Sequence, residues 1–276
     1  MSDSSNAKDV LHELPLNDLY KDVAHPALSA VGQTISLPFR AVNVLLTPFI
    51  KWVIQGEERL NEISNAVAEK VSNVPKENLT EPEPYVAIPA LQAISYSMDN
   101  QKLKDLYSNL LAKAITKTTK ESVHPAFIEI IKQMSPLDAQ LMSYIFNQSQ
   151  SIPMICIRIQ KKSVAPIQDL PSFRYMNSGF TVYENYVLGF MENIYPRVSV
   201  SIENLNRLGL VRIDNTYKLD SSLYQVFEQS ECKKQFETMY SSRTNSNETE
   251  VAFLPSTAMI TELGKSFSRI CISKSI

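Results

Sequence analysis

The chain has 276 residues, of which 44% are hydrophobic and 20% charged, with a formal net charge of −2. That content suffices for one large or two modest cores and leaves no global electrostatic drive toward nucleic acid or an anionic surface. Cys156, Cys232 and Cys271 are too few and too scattered for a disulfide framework, so they fit a reducing compartment.

The polar start, Met1 to Asn6, lacks the basic and apolar regions of a secretory signal. Residues 1–22 read as a flexible N-terminal segment, with a short helix over 10–21 interrupted by Pro15. Residues 23–74 form an amphipathic helical region. Between Pro26 and Ile50 the only formal charge is Arg40. Val31, Ile35, Phe39, Val42, Leu45, Leu46, Phe49 and Val53 recur at helical spacing, opposite Ser36, Arg40, Asn43, Thr47 and Lys51. Pro38 belongs in a first helical turn, and Pro48 is expected to kink or restart the helix. Trp52 near one end and the two positive charges, Arg40 and Lys51, are traits of an interfacial helix. The competing reading is a buried hairpin packed on the helices after residue 90.

A helix follows over 57–74, with Leu60, Ile63, Val67, Val71 and Val74 on one face and Pro75 as its stop. The run Glu81-Pro82-Glu83-Pro84, then Pro89, predicts an extended acidic connector over 75–89, because residues before proline favour extended geometry. Residues 90–150 read as a helical core. Leu103, Leu106, Tyr107, Leu110, Leu111, Ala114 and Ile115 give the strongest helical period in the chain. Ser135-Pro136-Leu137-Asp138 supplies an N-cap, a first-turn proline and a first-turn acid.

Residues 151–276 change character. A strand is expected over 151–160, an irregular aromatic stretch over 170–196, and a helix over 199–208 stopped by Gly209. Leu210–Ile213 then reads as a strand, with a turn at Asp214-Asn215 and a returning strand at Tyr217–Leu219. A helix over 222–240 and closing strand pieces at Phe253-Leu254 and Ala258–Ile260 precede a terminal helix. Helix, strand, turn and strand outline a winged helix. The fold expectation is therefore mainly α: an N-terminal helical region and central bundle, then a small winged-helix-like α+β portion.

Chemistry is hard to find. Gly264-Lys265-Ser266 ends like a phosphate loop, but Met259 stands where the first glycine belongs, so a helix cap is the better reading. His12, His25 and His124 have no partner at metal-ligand spacing. His124, before Pro125, reads as part of a helix start. No Gly-x-Ser-x-Gly elbow occurs, and the stretch just before His124 offers Lys117 and Lys120 but no arginine to suggest a ribonuclease helix. No catalytic residue, metal or cofactor is expected. The helix that a winged fold would present to DNA offers Asn204, Asn206 and Arg207 beside Glu203, a weak basic footprint.

Two phrases carry a resemblance. Leu106-Tyr107-Ser108-Asn109-Leu110-Leu111-Ala112 and His124-Pro125-Ala126-Phe127-Ile128-Glu129-Ile130-Ile131-Lys132-Gln133-Met134-Ser135-Pro136 are similar to the Abi-alpha family, bacterial proteins associated with abortive infection of phage-infected cells. The Glu81-Pro82 connector, Asn204–Leu210 and Thr261–Lys265 extend the resemblance over roughly residues 25–272. It marks Asn109, Leu110, Leu111, His124, Pro125 and Phe127 as motif residues, implies a phage-defence setting and brings no catalytic residues. The expectation is a cytoplasmic effector or sensor, peripheral to the inner membrane when active. It would act through an unknown protein partner or membrane surface by residues 31–54. Homo-oligomerisation stays open, as do two rivals: an enzyme acting on RNA or nucleotides through an unrecognised site, and a winged-helix DNA-binding regulator.

Overall fold

The computed structural model describes residues 37–53, 57–97, 99–148, 150–162, 179–190, 197–215, 219–241 and 248–273. The expected flexible segment 1–22, the helix over 10–21 and the start of the returning strand at Tyr217-Lys218 lie outside them.

The first half is helical. α1 (Leu37–Val53) runs through Pro48 without a break. The carbonyl that loses its donor there belongs to Val44, which is 58% exposed and so open to water. α2 (Glu57–Lys70) buries Ile63 and Val67. α3 (Pro84–Ser95) corrects the connector expectation, because residues 84–89 are already helix. Pro84 sits in the first turn, where its missing N–H costs nothing, and Glu83 before it is extended as a pre-proline residue should be. Pro89 lies inside the helix one turn after the exposed Tyr85, while Ala87, Ala90, Leu91 and Ile94 are fully buried. Packing of that face overrides the local preference. The rest of the connector does not float over the surface. Thr80 N–H donates to the Ile115 carbonyl at 2.8 Å, Lys117 N–H to Asn78 at 2.9 Å, and Lys120 pairs with Glu83 at 2.7 Å.

α4 (Gln101–Ala114) is the central helix. Asn100 caps it by accepting from Lys102 and Leu103, and every residue from 106 to 114 is buried. A helix buried all round sits between layers rather than on a surface. α5 (Ala126–Lys132) and α6 (Pro136–Asn147) follow. α6 opens with the capping box read from Ser135 and Asp138: Ser135 N–H donates to Asp138 Oδ2 at 2.7 Å, and Asp138 N–H to Ser135 Oγ at 3.2 Å.

The second half overturns the winged-helix, mainly-α expectation. β1 (Ser151–Lys161), β2 (Gly179–Val187), β3 (Val211–Asp214) and β4 (Thr249–Ile260) form one antiparallel sheet in the order β2-β1-β4-β3. α7 (Arg197–Arg207) ends at Gly209, whose φ of +74° needs glycine, and β3 follows. β3 pairs with β4. Val211 faces Ile260 and Asp214 faces Thr257, across the intervening helices α8 (Ser221–Glu228) and α9 (Glu231–Ser241). β4 runs unbroken through Pro255, paired with β1 from Ser151–Met259 to Lys161–Thr249. Pro255 falls where β1 is the one strand beside β4, a position that tolerates a missing donor. The fold is therefore α+β.

Two cores result. The larger joins α1–α6 to Ile152, Met154, Ile202, Leu205, Leu210, Phe267 and Cys271, so the C-terminal half is welded to the helices. The smaller packs Ile155, Ile157 and Ile159 of β1 against Tyr186, Tyr224, Phe227, Phe236 and Tyr240. The chain closes with α10 (Glu262–Phe267) and one π-helical turn, Ser268–Ile272.

Candidate functional site

α1 presents its apolar stripe inward. Val42 and Leu46 are fully buried, Phe49 is 8% exposed and Leu45 half-buried, packed with α2 and α3. Arg40 and Val44 face outward. Val31 and Ile35 lie outside the described residues, as do the side chains of Phe39, Lys51 and Trp52. None of the described α1 side chains makes a hydrogen bond or ion pair to another element.

The second cluster gathers residues far apart in sequence. Leu110 and Leu111 are fully buried on α4, and Phe127 of α5 is 1% exposed. Phe127 meets Phe267 edge to face at 5.6 Å between ring centroids. His124 accepts the Ala126 N–H through Nδ1 at 3.1 Å, and its ring leans toward Phe127 at 6.0 Å. Pro125 takes the N-cap position of α5, so both residues shape a helix start. On α4, Asn109 Nδ2 donates to the Cys271 carbonyl at 2.8 Å. One turn on, Lys113 Nζ donates to the Arg269 carbonyl at 2.5 Å and the Ser273 carbonyl at 3.2 Å. These carbonyls end the π-turn, where the peptide dipoles leave partial negative charge.

Lys113 is 3% exposed and has no carboxylate partner among the described residues. Burial pulls its pKa below the ordinary lysine value. Burial pushes the Cys271 thiol well above its ordinary value, against the pull of Lys113. Tyr107 is raised for the same reason, with Glu129 adding to the shift. The sequence phrase pointed to Asn109 but not to Lys113. The available signal was a lysine inside the run Leu110-Leu111-Ala112-Lys113-Ala114, where a solvated charge has no open face.

A third cluster uses the side chains that a DNA-reading helix would have offered. Asn204 Nδ2 donates to the Gln133 carbonyl at 3.0 Å and Asp138 Oδ2 at 2.9 Å. Arg207 donates to Asn204 Oδ1 at 2.8 Å and Gln133 Oε1 at 3.0 Å. They bind α7 to the start of α6. Beside them lies an open groove of about 470 Å³ lined by Ser135, Leu137, Arg197, Val200 and Ser201.

The family model described as abortive infection alpha matches residues 55–271. The chain belongs to the abortive infection alpha family. The matched part covers most of the chain and contains the whole motif cluster around Asn109 and Phe127. It starts after α1, later than the residue 25 anticipated from the resemblance. No curated protein and no solved structure gave a match.

Within this abortive infection alpha chain, Gly264 serves packing. Thr261 Oγ1 caps α10 by accepting Gly264 N–H at 2.9 Å, and a Cβ at Gly264 would run into the Leu210 carbonyl. No group of three His, Cys, Asp or Glu able to hold a metal occurs among the described residues. No described helix is long and apolar enough to cross a membrane.

Proposed function

We propose that this abortive infection alpha protein acts in phage defence as an effector or sensor working through contact, with α1 as the contacting element. The supporting observation is the way α1 is attached. It is held by the apolar residues Val42, Leu46 and Phe49, and its described side chains form no polar bond to another element. An apolar stripe so held can exchange one apolar surface for another at little cost. Arg40 and the exposed Val44 already face solvent on the same helix. On release from α2 and α3, α1 would lay its stripe on a membrane surface or in a partner's groove.

Flotation with vesicles containing anionic lipid tests the membrane arm. Phe49→Asp is a poor probe because it places a charge in the core. Arg40→Glu and Val44→Asp change exposed positions instead. The reading predicts that the wild type floats and the double variant does not, with loss of phage protection in cells. Protection retained by a variant with no vesicle binding would sink the membrane arm.

A further inference from the structure

We infer that residues 262–273 form a strap that opens as a unit from α4 while the helical core stays folded, with Asn109 and Lys113 as its lock. Three observations lead there. First, the strap makes its closest packing with α4, whose residues 106–114 are otherwise enclosed. Second, the lock is directional: three side-chain bonds from two residues one helical turn apart reach the carbonyls of Arg269, Cys271 and Ser273. Third, the interface carries polar groups that closure leaves poorly served. Ser268 of the strap is fully buried, and its hydroxyl has no hydrogen-bond partner. Lys113 brings a buried ammonium to the strap with carbonyls alone as its acceptors.

Opposing terms thus meet at one surface. Phe267, Ile270 and Cys271 gain by burial, as apolar groups do. The Ser268 hydroxyl and the Lys113 ammonium regain water when the strap lifts. The segment includes a π-turn, with Ser273 N–H bonded to the Ser268 carbonyl at 2.8 Å, a rare geometry that is frequent at functional sites. α6 carries no such orphan. It buries Leu141, Met142 and Ile145 with its cap fully satisfied. Partial opening of such segments below the global unfolding limit is general behaviour in proteins. An open strap uncovers Phe127 and the α4 face that carries Asn109 and Lys113.

Native-state hydrogen exchange on the full chain reads this directly. Strap amides 265–273 are expected to exchange at least about tenfold faster than amides 139–145 of α6, as for a local opening. Lys113→Met and Asn109→Leu remove the lock and should speed the strap by about a further tenfold with amides 139–145 unchanged. Ser268→Ala removes an orphan hydroxyl and should slow the strap. Equal exchange of strap and α6 in the wild type would overturn the inference. So would lock variants that speed both segments alike or leave the strap unchanged.

Discussion

α1 and the C-terminal strap are both peripheral elements laid on the same core, yet they are fastened differently. α1 is held by Val42, Leu46 and Phe49, with no side-chain bond from its described residues to a neighbour. The strap adds to its apolar anchor, Phe267, the bonds from Asn109 and Lys113. Apolar burial has no preferred partner, so α1 can trade its site for another apolar surface. Bonds aimed at three carbonyls fit one geometry, so the strap is either locked or open. The comparison separates an element suited to contacting something else from one suited to controlling access.

The largest expected effect falls on the anchor the strap shares with the core. Phe127→Ala removes a ring that is 1% exposed and packed edge-on against Phe267, and should cost about 3–5 kcal/mol in urea unfolding. Leu46→Ala on α1 is equally buried in the native state, and its cavity should cost about 2–4 kcal/mol. Its signature differs: protection should vanish first over residues 40–49, with amides 139–145 unaffected. A uniform loss across both helices would erase the distinction drawn for α1.

Alkaline titration sharpens the polar side. Lys113 has a lowered folded pKa, so the native state binds fewer protons than the unfolded chain as pH nears the ordinary lysine value of 10.5. Its contribution to stability therefore rises with pH. Cys271 and Tyr107 have raised folded pKa values, so their contributions are complete below 9.0 and 10.0 and are lost above. Lys113→Met should steepen the fall in urea midpoint above about pH 9, and Cys271→Ala should flatten it.

Smaller effects serve as controls. Ser135→Ala breaks the α6 capping box and should cost about 1 kcal/mol without altering the exchange contrast between α1 and the strap. Glu129→Gln removes an exposed pair with Lys132 and should leave the urea midpoint within error.

The same contrast explains what the sequence could reveal. Local signals were legible: the Ser135-Pro136-Asp138 helix start, the α4 period through Leu106, Leu110 and Leu111, and the Gly209 stop all appear where expected. The sheet was not, because β3 and β4 pair across two helices and no local pattern encodes that partner. Pro255 also made one strand read as two pieces. Pro84 and Pro89 hid the start of α3, whose helical state depends on burying Ala87 and Leu91. Asn109 and Phe127 were visible as part of a family phrase, but their common target, the strap, became apparent through tertiary contact. Lys113 gives no separate motif signal, because its neighbours Leu110, Leu111, Ala112 and Ala114 read as ordinary core.

Hydrogen exchange of the full chain with and without anionic vesicles tests the central claim, that α1 is the contacting element, most directly. The account predicts that amides 40–49 change protection when vesicles are added, while amides 139–145 of α6 do not. Unchanged exchange over residues 40–49, with vesicles bound through another segment, would contradict it.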